Sequence, residues 1–176
     1  MAKASDVIPI ERARVTRPNA APVESIASKL LAAGNFWRRS GNAFYRRQFG
    51  LSITDVHVLT VLAARAPMSL NAMADECGID KTQMSRAVKA LVQRKLVLHS
   101  KSETNPGELS LSLDKAGIRM CRKLKPAAEA RLVSLLASCS EADIRSLDTL
   151  FDTLIANARA VAETETAPPS RLRKRG

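Results

Sequence analysis

Aromatic side chains are scarce in this sequence. One Trp, one Tyr and four Phe among 176 residues come to 3% of the chain. A core of ordinary size must therefore be built from Leu, Ile, Val, Ala and Met, and the 45% hydrophobic content is sufficient for one globular domain. Cysteine is sparse too: Cys77, Cys121 and Cys139 are odd in number and form no CxxC pair, which excludes a disulfide framework and a thiolate zinc site. With His57 and His99 the only histidines, no metal or other cofactor is expected. No uncharged apolar run approaches the about 20 residues needed to span a bilayer. Asp6, Glu11, Arg12 and Arg14 occupy the place of a signal peptide's apolar stretch, so a cytoplasmic protein with no membrane partner is expected. A Gly-rich phosphate loop, a Ser-His-Asp set and paired carboxylates are likewise missing, which argues against an enzyme.

Acid is also in short supply. Against 17 Asp and Glu stand 28 Lys and Arg, a formal net charge of +11. A surplus of that size favours a polyanionic partner.

Pro9, Pro18 and Pro22 interrupt residues 1–22, and Pro168-Pro169 lead into Arg171, Arg173, Lys174 and Arg175, so 1–22 and 163–176 read as flexible tails. Between them, Ile26, Leu30, Ala33, Trp37 and Phe44 are spaced for a long helix over about 23–47, ended by Gly50. Thr54 is the expected cap of a second helix, stopped by Pro67. Ser69 caps a short third helix ending at Cys77-Gly78, and Asp80 caps a fourth over 81–95. Leu96-Val97-Leu98, a polar loop, and the alternation Leu109-Ser110-Leu111-Ser112-Leu113 then predict a two-stranded hairpin. Two helices within 115–162 complete the domain. Their inward positions are expected to be Ile118, Cys121, Leu124, Ala128, Leu132 and Leu135, then Ile144, Leu147, Phe151, Leu154, Ala158 and Val161.

The charge is unevenly placed. Residues 81–102 carry Lys81, Arg86, Lys89, Arg94, Lys95 and Lys101 with no acid, whereas residues 103–163 net −1. On a helical wheel, Met84, Ala87, Val88, Leu91 and Val92 share an arc of about 140°. Thr82, Gln83, Arg86, Lys89, Gln93 and Arg94 lie opposite. A solvated helix face ordinarily mixes signs for i,i+4 pairing, but this face has none of the negative partners. It combines cations with Thr, Gln and Ser, the donors that grip phosphates and read base edges. A short helix, a four-residue joint around Gly78-Ile79 and this longer helix have helix-turn-helix spacing, and the following hairpin makes the motif winged.

These segments resemble the MarR (multiple antibiotic resistance regulator) family of bacterial transcription factors. Leu51-Ser52-Ile53-Thr54-Asp55-Val56-His57-Val58-Leu59 is similar to the opening of that family's second helix. Ser69 to Lys81 resembles its third helix and turn, and Thr82 to Val92 its recognition helix. Leu113-Asp114-Lys115-Ala116-Gly117 is similar to the Leu-Thr-x-x-Gly after the wing. The resemblance implies a mainly α fold: a winged helix-turn-helix lobe over about 51–113, with a two-stranded wing, and dimerisation helices over about 23–47 and 115–162. It also implies a homodimer on a pseudo-palindromic operator in double-stranded DNA. Gln83, Ser85 and Arg86 are expected at base edges, and Lys81, Thr82, Lys89, Lys101 and Asn105 mainly at phosphates. Two departures stand out: Lys95 replaces a usual Gly, and Ser102–Glu108 holds two acids and no Arg where the family's wing carries Asp-x-Arg-Arg.

Many relatives bind small anionic or aromatic effectors beside the dimerisation helices. For such a ligand Trp37, Arg38, Tyr45 and His57 are the candidates, against a plain packing role for each. Two other readings stay open: a winged-helix protein that works through a protein partner, which the acidic wing would suit, and a redox-sensing regulator. The second needs an exposed, electropositive thiol. Cys121 and Cys139 are expected to be buried or inert, and Cys77 sits beside Glu76.

Overall fold

The computed structural model describes residues 23–101 and 109–166. In chain order these form α1 (Val23–Phe49), α2 (Ile53–Arg65), β1 (Met68–Ser69), α3 (Leu70–Cys77), α4 (Lys81–Gln93), β2 (Val97–Lys101), β3 (Leu109–Leu113), α5 (Lys115–Leu135) and α6 (Glu141–Thr166). The backbone divides into two compact units, one ending at Leu113 and the other beginning at Asp114.

In the first unit, α1 runs two residues past the expected Arg47. It stops at Gly50, whose φ of 64° is accessible at little cost only to glycine. The cap of α2 is Ser52, not Thr54. The Ser52 hydroxyl accepts the Asp55 N–H (3.1 Å) while the Ser52 N–H donates to the Asp55 carboxylate (2.8 Å). That reciprocal pair satisfies two orphan donors at once, which a cap at Thr54 would leave open. Asn42 on α1 accepts the Ile53 N–H at 2.9 Å, fastening α1 to the start of α2.

Val56, Val58, Leu59 and Leu62 of α2, Met73 and Ala74 of α3, and Met84, Val88 and Leu91 of α4 are buried. They form the expected aliphatic core with Leu51, Val97 and Leu111. Ser69 caps α3 by accepting the Ala72 N–H, and Gly78 closes it in the left-handed conformation. Burying the core side chains contributes about 1.5–3 kcal/mol each before conformational entropy is counted.

The wing strands pair as expected, Val97 opposite Leu113 through Lys101 opposite Leu109. The sheet, however, has three strands in the order β1-β3-β2. Met68-Ser69 pairs with Leu111 and Ser110. Two residues ahead of a helix cap carry no alternation, so periodicity gives no warning of this strand.

In the second unit, Asp114 caps α5 through the Lys115 N–H. Ser140 and Asp143 form a reciprocal cap for α6. Leu124 is buried, but Ile118, Leu132, Leu135, Leu147, Phe151, Leu154 and Val161 remain 39–56% exposed. α6 continues to Thr166, so the first four residues assigned to the C-terminal tail are helical.

Candidate nucleic-acid interface

α4 is built to show one side and bury the other. Asp80 accepts the Thr82 and Gln83 N–H groups at 2.8 and 3.2 Å, and these bonds hold its carboxyl below the ordinary 3.8. Met84 and Leu91 are fully buried and Val88 is 7% exposed. Lys81, Thr82, Gln83, Ser85, Arg86 and Lys89 are all exposed. At 100° per residue the last five share an arc of about 160°. Five of the eight side chains singled out for DNA thus lie together on one solvent face of a helix anchored by its apolar face.

The end of α4 is held in two ways. The Leu96 N–H reaches the Leu91 carbonyl and the Lys95 N–H the Val92 carbonyl, each at 2.9 Å. This is the paired closure that follows a left-handed residue. That residue is Lys95, with φ 57°. Arg94, grouped by charge with the polar face, instead donates from Nη1 to the Gly50 carbonyl at 2.8 Å. It ties the end of α4 to the joint between α1 and α2. Lys101 is exposed at the end of β2. Asn105 and the rest of the wing tip, 102–108, lie outside the described residues, as do 1–22 and the basic residues 171–175.

The four candidate effector residues differ in their surroundings. Tyr45 is 2% exposed and packs edge-on to Phe44, ring centroids 5.1 Å apart, and against Phe49 at 6.2 Å. It is a core residue of the first unit, because the run Phe44-Tyr45-Phe49 brings three of the few aromatics to one place. Trp37 is half-buried on α1, and His57 is exposed on α2. Partial desolvation pushes the His57 imidazole below 6.5, and the Glu76 carboxylate partly offsets this. Arg38 alone of the four lines an open depression of about 560 Å³ on α1, with Asn35, Phe36, Arg39 and Asn42.

Cys77 and Cys121 are arranged unfavourably for redox sensing. Cys77 is half-buried, its Sγ 3.8 Å from the Met73 sulfur, and burial and Glu76 push its pKa up. Burial does the same at Cys121. Cys139, expected buried or inert, is exposed instead, in the turn after α5.

Residues 49–105 match the MarR family model. Over these residues the winged helix-turn-helix of this chain is similar to that of the MarR family. No curated protein is significantly similar in sequence. Solved MarR-type structures share the fold over most of the chain. A MarR/EmrR family transcriptional regulator from Acinetobacter sp. ADP1 is 21% identical, with a TM-score of 0.72 over 77% of this chain and 95% of that one. MepR of S. aureus, solved as a DNA complex, is 14% identical, with a TM-score of 0.65 over 78% and 99%. CouR of Rhodococcus jostii RHA1, solved with p-coumaroyl-CoA, is 16% identical, with a TM-score of 0.67 over 75% and 92%. Among the described residues, no helix is long and apolar enough to cross a membrane.

Proposed function

We propose that the chain is a bacterial, cytoplasmic transcription regulator that binds a pseudo-palindromic operator as a homodimer. The observation that carries this reading is the acid-free, exposed face of α4, where Thr82, Gln83, Ser85, Arg86 and Lys89 lie together over a buried Met84, Val88 and Leu91. A helix of this size fits the major groove, which is about 12 Å wide. Gln83, Ser85 and Arg86 read base edges; Lys81, Thr82, Lys89 and Lys101 meet phosphates. The MepR complex with DNA supports this use of the fold.

Dimerisation follows from the unpartnered apolar side chains in each unit. Ile26 and Leu30 of α1 are 51% and 48% exposed, and Leu147, Phe151, Leu154 and Val161 recur on α6 at helical spacing. A contiguous apolar face of this kind marks an association surface, and two-fold pairing suits a palindromic target. A small anionic or aromatic effector acts on the dimer, as the binding of p-coumaroyl-CoA by CouR suggests.

The test is a gel-shift series against genomic and random fragments at several salt concentrations, with bound fragments sequenced. Specific binding should exceed non-specific binding by roughly 10³ or more. Arg86→Ala should cost about 1–3 kcal/mol and relax sequence choice, while Lys89→Ala should weaken all sequences alike. Operator choice unchanged in Arg86→Ala would remove the recognition-helix assignment. Binding to no fragment would favour the protein-partner reading.

A further inference from the structure

The densest positive charge in the fold lies outside the recognition helix. α4 holds Lys81, Arg86 and Lys89, whereas α5 holds Lys115, Arg119, Arg122, Lys123, Lys125 and Arg131 against the single acid Glu129. The near-neutral total of residues 103–163 conceals this, because α6 together with Glu103, Glu108 and Asp114 carries the compensating acids. Lys115, Arg119, Arg122, Lys123 and Lys125 are all exposed. At 100° per residue they share an arc of about 160°. Its centre is opposite Leu124, which is 2% exposed.

Among the described residues, Lys125 alone of these five lies within 4.0 Å of an acid, a loose 3.9 Å contact with Glu129. The remainder repel one another at i,i+3 and i,i+4 spacings, Lys115 with Arg119, Arg119 with Arg122 and Lys123. An isolated helix is destabilised by such like-charge pairs. The arrangement becomes favourable when a polyanion lies along it.

We propose that this face of α5 is a second DNA-contacting surface, gripping duplex phosphates outside the stretch read by α4. The proposal rests on the DNA-binding reading above. Charge complementarity selects the occupant. The five cations span about 15 Å of helix axis, and one DNA strand presents a phosphate about every 3.4 Å along the duplex. Composition assigns the role. α4 interleaves its cations with Thr, Gln and Ser, but the α5 arc offers none of these, only Ile118, Pro126, Glu129 and Ala130 between the cations. It has charge without base-reading donors, so it adds affinity and salt sensitivity without altering sequence preference.

The experiment compares full-length wild type, the neutralised variant R119Q/R122Q/K123Q and the charge-keeping variant R119K/R122K/K123R. Each is titrated across KCl concentrations on the minimal selected fragment and on the same fragment extended on both sides. The wild type should bind the extended fragment more tightly and with a steeper salt dependence. Each phosphate left without its cation lowers the slope of log K against log salt by about 0.9, so the slope for the neutralised variant should fall by up to about 2.7 per subunit on the extended fragment. Extrapolated from 1 M salt, losing one to three such contacts corresponds to roughly 8-fold to 500-fold weaker binding at 0.1 M KCl. Its sequence preference should be unchanged, and the charge-keeping variant should match the wild type. Equal slopes and affinities for wild type and neutralised variant overturn the proposal. So does loss of the dimer in the neutralised variant, which would make the stripe a subunit contact. Binding to vesicles of anionic lipid that depends on the three residues while DNA binding does not would also overturn it. If the wild type binds neither fragment, the regulator reading falls as well; if it binds and the variants do not differ, only this proposal falls.

Discussion

Lys95 is a built-in cost that one substitution should remove. Its φ of 57° places a side chain in the left-handed region, where an L-residue is disfavoured by roughly 1–2 kcal/mol. The position cannot relax to ordinary φ without breaking the closure of α4, since the Lys95 and Leu96 N–H groups cap the Val92 and Leu91 carbonyls. Leu96 is also 6% exposed and committed to the core. Glycine at this site relieves the strain, but the more flexible unfolded chain takes back about 0.4–1 kcal/mol. Lys95→Gly should therefore stabilise the protein by about 0.5–1 kcal/mol, a rise in Tm of roughly 1–4 °C for a chain of this size. The assay is urea and thermal unfolding at one fixed protein concentration, because the proposed dimerisation would make both depend on it. Lys95→Ala is the control: it removes the same charge and keeps a Cβ in the left-handed region, so it should give no stabilisation. If Lys95→Gly is no more stable than wild type, or Lys95→Ala gains as much, the effect belongs to charge and the backbone argument is wrong.

Arg94→Ala should destabilise by about 1 kcal/mol through loss of the bond to the Gly50 carbonyl. Arg94→Lys should recover little, because a lysine does not reproduce the guanidinium fork; urea unfolding of both variants checks this, and full recovery by Lys would assign the effect to charge alone. The Asp80 cap should be sensitive to acid. Its carboxyl is held below 3.8 in the fold, so the ionised cap contributes fully above the ordinary carboxylate range and its contribution fades as pH falls through the lowered value. Asp80→Asn keeps an acceptor oxygen without the charge, so the stability difference from wild type should shrink between about pH 5 and 3; a difference that widens on acidification would contradict the sign.

Much of the helical framework was legible because helix punctuation is local. Ser69, Asp80, Asp114, Gly50 and Gly78 each act within one turn of their own position, so residue type and spacing suffice. The error at α2 has the same origin. Ser52 and Thr54 are both good caps, and the reciprocal bond to Asp55 decides between them. Features made by distant residues were not legible. β1 exists only because Met68 and Ser69 meet Leu111 and Ser110 across more than forty residues. Arg94 reads as one more cation on a polar face until Gly50 is brought beside it. The effector candidates stayed open for a third reason, since Tyr45 is a polar-tipped aromatic that packs as well as it binds, and sequence does not distinguish the two. The charge of α5 was present in the sequence all along and was hidden by averaging it with the acids of α6 and of residues 103–114.

Ser69 joins two parts of the first unit that have to move together. Its backbone pairs with Ser110 in β3, while its hydroxyl accepts the Ala72 N–H and starts α3. At the other end, the closure of α4 at Leu96 leads directly into Val97 of β2, which pairs with Leu113 of β3. The chain from α3 through α4 and β2 to β3 therefore returns to its origin by hydrogen bonds. Hydrogen bonds within such a ring deform little compared with rotation of the whole about its attachments. Its attachments to α1 and α2 are the apolar core shared with α2 and two polar bonds, Arg94 to Gly50 and Arg65 to Glu76 at 2.7 Å. In the proposed dimer, an effector that altered half-site spacing would therefore shift the ring together with α2, turning at the Gly50 joint, where Arg94 meets the end of α1.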